Sequence, residues 1–171
     1  MGRLWWGMQK IYLIVGNVGA GKSTYAANFA LQKQAHIFTI DEWMKNLFWM
    51  EAPEGDTYEW ALERIVRIET QILTETIRLS RLGVPIILDL GFFSADQRTR
   101  VQSRLLDEDL RVQTLYLDVD KEERWRRIQQ RNSEQGQTYQ FTVSREVFDF
   151  CETIFEPMDE AELATATIVH L

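Results

Sequence analysis

The stretch that most constrains this chain is GNVGAGKST, residues 16–24, directly behind the apolar run IYLIV at 11–15. Five apolar residues ended by a glycine are the pattern of a strand buried on both faces, as in a parallel sheet. Gly16, four residues, then Gly21, Lys22 and Ser23 is the spacing of a loop that cradles phosphate. Glycine lets the backbone wrap an anion with its N–H groups turned inward, where side chains would block the approach. The loop feeds a helix, whose free N–H groups and dipole favour negative charge. Gly16, Asn17, Val18, Gly19, Ala20, Gly21, Lys22, Ser23 and Thr24 are therefore the candidate ligands of a nucleoside triphosphate. The Lys22 ammonium would reach the β- and γ-phosphates, and the Ser23 hydroxyl would bind Mg²⁺.

Strand and helix patterns alternate behind the loop. Residues 22–32 predict a helix, 36–40 a strand, and 41–50 a helix rich in large aromatics; 51–56, with Pro53 and Gly55, is a breaker. A long amphipathic helix follows over 57–82, with Ile65, Ile68, Ile72 and Leu79 at three- and four-residue spacing and Gly83 as its stop. Residues 84–90 predict the third strand, and Ser94 with Gln97 has the capping-box spacing of a helix ending near 108. A fourth strand at 113–117, a charged helix at 120–131, a polar flexible segment at 132–140, a helix at 144–155 and a strand at 167–170 complete the pattern. The expectation is an α/β fold in one domain spanning 1–171, its parallel sheet covered on both faces. Residues 1–9 read as a tail, and Met8 is a candidate natural start.

Composition narrows the function classes. The 171 residues are 45% apolar and 26% charged, the balance of a folded chain, and the net charge of −7 makes a poor generic binder of nucleic-acid backbones. A local basic groove stays open as an alternative. No apolar run approaches the roughly 18 residues of a membrane helix, and MGRLWWGM lacks the pattern of a secretory signal. The single cysteine, Cys151, excludes an internal disulfide and suits the cytoplasm, as a packed thiol in a helix.

Three uses of such a loop compete. A GTPase would carry Asn-Lys-x-Asp and Asp-x-x-Gly, and neither occurs. A motor or helicase-type ATPase usually has Glu after the strand-end Asp to orient water, and here Leu90 follows Asp89. A phosphotransferase needs Mg²⁺, positive charge around the moving phosphoryl group and a group to orient the acceptor hydroxyl. Asp89, at the end of the third strand, emerges at the sheet edge where ligands bind, and is a candidate metal ligand. Asp41, after the second strand, would orient an acceptor hydroxyl or merely cap the next helix; Glu42 is then the fallback. The segment DKEERWRRIQQR holds five basic and three acidic residues. Arg127 and Arg131, four apart, would cover developing phosphate charge; the competing reading is a salt-bridged surface helix with Glu123 paired to Arg127.

These residues resemble a family. The phosphate loop, Asp41, the stretch Leu88, Asp89, Leu90, Gly91, Phe92, and Arg127 and Arg131 followed by Asn132 are similar to the small phosphate-loop kinases often labelled AAA-type ATP-binding proteins. The group is similar to zeta toxins, chloramphenicol phosphotransferase, gluconate kinase and polynucleotide 5′-kinase domains. Phe155, Glu156 and Pro157, followed by Asp159 and Glu160, resemble a C-terminal signature of bacterial members. The resemblance implies a P-loop NTPase fold with strand order 2-3-1-4-5, a mobile helical lid over about 124–143, and ATP with Mg²⁺. It implies transfer to a hydroxyl, with Asp41 activating the acceptor and Arg127 and Arg131 as lid arginines. Arg98 or Arg100 falls where relatives place an acceptor-side arginine.

The acceptor is not fixed by the family. Trp43, Met44, Phe48 and Trp49 spread around their helix, so some would wall an acceptor pocket for a planar or apolar body while the rest pack. A small-molecule acceptor is the expected partner, with a non-enzymatic ATP-binding regulator and a polynucleotide 5′-hydroxyl kinase as alternatives. Leu4, Trp5 and Trp6 leave room for a protein contact. His36 and His170 each stand alone, so edge or core packing is expected of both.

Overall fold

All five side chains of β1 (Ile11–Val15) are buried, and they are shared between two cores. In the computed structural model, which describes residues 10–55, 57–136 and 142–171, β1 lies at the centre of a parallel sheet. The other strands are β2 (His36–Thr39), β3 (Ile86–Asp89), β4 (Val112–Leu117) and β5 (Thr167–Val169), in the order β2-β3-β1-β4-β5. Ile11, Leu13 and Val15 face one core and Tyr12 and Ile14 the other, because successive strand side chains alternate. The first core packs against α2 (Ile40–Leu47), α3 (Tyr58–Arg81) and α4 (Ala95–Leu106); the second packs against α1 (Lys22–Lys33). A third, smaller cluster joins α5 (Lys121–Glu134) to α6 (Arg145–Ile154) through Ile128, Val143 and Phe148, with Val18 of the phosphate loop against it.

The α/β architecture and strand order agree with the expectation, and the differences have local causes. The predicted helix over 41–50 stops at Leu47; Phe48 leaves helical geometry and Trp49–Glu51 makes a single 3₁₀ turn ahead of Pro53. Helix α5 continues to Glu134, where Gln135 takes a left-handed conformation and donates its N–H to the Arg131 carbonyl, so the polar segment starts later than 132. Ser94 does cap α4, accepting from the Gln97 N–H at 3.1 Å, but the Gln97 side chain turns to Glu69 instead of closing a capping box. A complete box stands elsewhere: Asp159 and Glu162 open α7 (Glu160–Thr165), a helix too short to leave a periodic signal. The tail at 1–9 with Leu4, Trp5, Trp6 and Met8, and residues 137–141 of the expected lid, lie outside the described residues. Among the described residues no helix is long and apolar enough to cross a membrane.

Candidate active site

The phosphate loop leaves β1 at the C-terminal edge of the sheet and runs into α1 through Gly21, whose φ of 90° a side chain would strain. Gly19, also left-handed at 81°, has a second constraint. A Cβ there would stand 2.6 Å from the Arg124 carbonyl and 2.9 Å from Ile128, so its missing side chain makes room for α5. Asn17 contributes backbone alone. Its side chain accepts from the Val18 N–H at 2.7 Å and donates to Glu152 Oε1 at 2.5 Å, away from the cleft. Lys22 turns its ammonium onto the Asn17 carbonyl at 3.2 Å, inside the loop. Val18, Gly19, Gly21, Lys22, Ser23 and Thr24 all line a cleft of about 1500 Å³.

Two carboxylates close the floor of that cleft. Thr39 and Asp89 are register partners, so the ends of β2 and β3 lie side by side and Asp41 follows two residues on. Asp89 is buried and accepts a 2.8 Å hydrogen bond from the Ser23 hydroxyl. Asp41 sits in the first turn of α2, where Thr39, not Asp41, holds the cap position. The capping alternative therefore falls away. Asp41 opens into the cleft while protein surrounds it on the other sides; that desolvation, and then the Asp89 charge, hold its pKa above the usual carboxylate range. Desolvation likewise raises Asp89, against the pull of Lys22 and the Ser23 hydroxyl. Lys22 is pushed down from the ordinary lysine value by burial, although Asp89 and Asp41 oppose the shift.

These donors suit the ligands that the loop implies. Mg²⁺ takes hard oxygen ligands and keeps to one or two carboxylates plus substrate phosphates. The Ser23 and Asp89 oxygens, already within hydrogen-bond distance, supply such a pair. No cluster of three His, Cys, Asp or Glu residues with metal-ligand geometry stands among the described residues.

The arginines sort by contact. Arg127 reaches over the loop, its Nη1 donating to the Ala20 carbonyl at 3.3 Å while its Nε donates to Glu123 at 2.7 Å. The expected Glu123–Arg127 pair is present, and the same guanidinium also touches the loop. Arg131 lines the same cleft and its charge bears on Asp41. Burial separates Arg98 from Arg100. Arg98 is 0% exposed and is spent on structure: it clamps Glu162 through two bonds of 2.6 and 2.8 Å and donates to the Phe92 and Glu156 carbonyls. Arg100 is half exposed, lines the cleft, and pairs with Glu69 at 2.7 Å and Asp96 at 2.9 Å.

Several contributors were not visible in the sequence. Arg124 lies buried beneath the loop, donating to the Val18 and Val119 carbonyls and to both Glu152 oxygens. With Asn17 bonded to the same carboxylate, α5, α6 and the loop form one buttress. Only the four arginines of α5 hinted at Arg124, and nothing marked Glu152. Glu69 and Gln97 face the cleft from α3 and α4. Phe92 is fully buried in a left-handed conformation just behind Asp89, where such backbone is strained, and Arg98 holds its carbonyl. The C-terminal signature supports that turn: the Glu156 carboxylate accepts from the Ala95 N–H at 2.7 Å and its N–H donates to the Phe93 carbonyl at 2.8 Å.

The aromatics after Asp41 are mostly packing. Met44 is buried in the main core and Trp43 and Phe48 pack against it; only Trp49 lines the cleft. Glu42 is exposed and does not line it. Cys151 is half-buried on the cleft side of α6, and burial raises its thiol pKa. His36 stands exposed at the start of β2 with its ring edge against Phe38.

A family model described as an AAA domain matches residues 11–158, most of the chain, with the phosphate loop, Asp41, Asp89 and the cleft arginines inside the match. The chain belongs to this AAA-domain family. Solved structures place this AAA domain among the small P-loop kinases in fold. A sugar kinase from Janibacter sp. HTCC2649 is 14% identical with a TM-score of 0.63, over 95% of this chain and 85% of that one. A gluconokinase from Sinorhizobium meliloti 1021 is also 14% identical, with a TM-score of 0.65 over 95% and 83%. Kti12 from Chaetomium thermophilum, in complex with ADP-AlF3, is 11% identical, with a TM-score of 0.66 over 94% and 88%. No curated protein sequence matches the chain.

Proposed function

We propose that this AAA domain is an ATP- and Mg²⁺-dependent phosphotransferase that moves the γ-phosphate to a hydroxyl of a small-molecule acceptor. One observation carries the reading: Lys22, Asp89 and Asp41 meet on one cleft floor, with Arg127 and Arg131 on the facing helix. The 16–24 backbone and Lys22 hold the phosphates, and Ser23 and Asp89 serve the metal. When bound, Mg²⁺ would neutralise charge on the phosphates. Asp41 accepts a hydrogen bond from the acceptor hydroxyl and aims its oxygen at the γ-phosphorus. As that O–P bond forms and the bond to the bridging oxygen breaks, the hydroxyl proton passes to Asp41 and ADP departs. A carboxylate whose pKa lies above its usual range is better matched to that proton than an ordinary one. Arg127 and Arg131 spread over the transferring group's oxygens, so the rate comes from positioning and charge neutralisation. The free thiol of Cys151 fits a cytoplasmic setting.

The test is ADP release from ATP and Mg²⁺ across sugars, nucleosides, aminoglycosides, aromatic alcohols and 5′-hydroxyl oligonucleotides, with Lys22→Ala as the blank. Acceptor-stimulated turnover absent from that variant is expected. Tight ATP binding with slow, acceptor-indifferent hydrolysis would replace the kinase reading with a regulatory module, and turnover confined to oligonucleotides would make it a polynucleotide kinase.

A further inference from the structure

Helix α3 carries two apolar stripes where an ordinary surface helix has one. Ile68, Ile72 and Ile77 face the core. Tyr58, Leu62 and Val66, at four-residue spacing, face the cleft and are 42%, 42% and 58% exposed. Across from them α6 presents Val147 and Phe150, 43% and 44% exposed, to the same cleft. The rings of Tyr58 and Phe150 meet edge to face with centroids 5.2 Å apart, so the two stripes converge at one end.

Half-exposed apolar side chains gathered from two helices around one concavity mark a ligand wall more than a surface accident. The cleft's size agrees. About 1500 Å³ exceeds the roughly 300–1,000 Å³ that suits one ligand, leaving room for an acceptor beside the nucleotide.

Charge separates the two halves. The cations Lys22, Arg127 and Arg131 sit with the phosphate loop. On the acceptor side Glu69 and Asp96 already pair with Arg100, and Gln97 donates to the second Glu69 oxygen at 2.7 Å. An anionic acceptor would therefore meet a matched arginine and, further in, the Asp41 and Asp89 carboxylates. A densely hydroxylated sugar would leave most of its hydroxyl groups against carbon, at the cost of lost hydration.

We infer that the acceptor is a neutral alcohol or phenol with a bulky apolar body, its body between α3 and α6 and its hydroxyl at Asp41. This rests on the phosphotransfer reading for the word acceptor, and on the cleft wall alone for the ligand class.

Two measurements test it on the full chain. The first is titration with the neutral fluorophore N-phenyl-1-naphthylamine, against wild type and the double variant Leu62→Gln, Val66→Gln. Both positions are exposed and glutamine suits a helix, so unchanged binding of a fluorescent ATP analogue confirms that the variant is folded. Saturable binding to wild type, weakened at least tenfold in the variant and displaced by 2-naphthylmethanol, is expected. No saturable binding, or binding equal in the two proteins, overturns the inference. The second is kcat/KM for benzyl alcohol, 2-naphthylmethanol and 4-biphenylmethanol against glucose and glucose 6-phosphate. A rise with apolar size that the double variant removes supports the proposal. Preferred phosphorylation of either sugar, unaltered in the variant, overturns it and leaves the kinase reading intact. Probe binding that the variant removes, with no alcohol phosphorylated, supports the ligand class and removes the phosphotransfer step.

Discussion

The two halves of the cleft are built on opposite plans. The phosphate half is backbone and charge: glycines in left-handed conformations, a lysine turned onto its own loop, and a buried Arg124–Glu152–Asn17 buttress from two helices beneath. The half proposed for the acceptor is side chains, apolar and half exposed, on the facing stripes of α3 and α6. A rigid half suits a ligand part common to every nucleoside triphosphate. A half made of side chains can change its ligand without touching the loop, which is how one scaffold serves several acceptors.

The largest effect should come from cutting the buttress. Arg124→Ala leaves the partly buried Glu152 with Lys121 at 3.9 Å in place of its close cation and strips the Val18 and Val119 carbonyls of a donor, a loss of about 3 kcal/mol of stability, the lower end for buried pairs. Denaturant unfolding measures it. A cost below about 1 kcal/mol would mean that the loop does not depend on α5, and the contrast between the two halves would dissolve. Arg100→Ala, half exposed on the other side, should cost under about 1 kcal/mol in the same assay.

Next in size is Asp41→Asn, at the join between the halves. It should lower transfer at least tenfold, about 1.4 kcal/mol of barrier, with ATP affinity unchanged. Loss of ATP binding would move Asp41 to the phosphate half.

The smallest effect is one of stability, and it has a sign. Burial raises the Asp89 pKa in the folded chain, so folding favours the protonated form. That advantage is complete below the unfolded value of 3.8 and is lost as pH rises through the raised folded value. Asp89→Asn removes the charge and keeps a partner for the Ser23 hydroxyl. Its Tm should exceed that of wild type by a few degrees at pH 7–8, and the gap should shrink as pH falls through the carboxylate range. A lower Tm at pH 7–8 would show that the Lys22 attraction outweighs desolvation, making the phosphate floor stabilising to the fold instead of costly.

Legibility followed the same division. Residues 11–24 announce strand, loop and helix together because each position is set by local backbone needs, and the strand order followed from the fold those residues imply. Asp89 was legible because it ends an apolar run, and Arg127 because it shares a helix face with Arg131. The aromatics after Asp41 divided as expected, with Trp43, Met44 and Phe48 packing and Trp49 lining the cleft, but the apolar stripes of Leu62, Val66, Val147 and Phe150 went unread. Those side chains look like ordinary core positions until the partner surface is known. Helix α7 left no trace for want of length.

The sequence by itself determined that a phosphate loop would stand at the end of a buried parallel strand, since spacing and residue type there act through the local chain. Only the tertiary structure decided which arginine is structural and which lines the cleft, which carboxylate braces the loop, and which apolar residues stay half exposed. Arg98 and Arg100 are two residues apart on one helix, yet that separation turns them to different sides, one into Glu162 and one into the cleft. What a side chain meets is set by elements far along the chain, as Glu152 meets Asn17 across 135 residues, and no local pattern records that meeting.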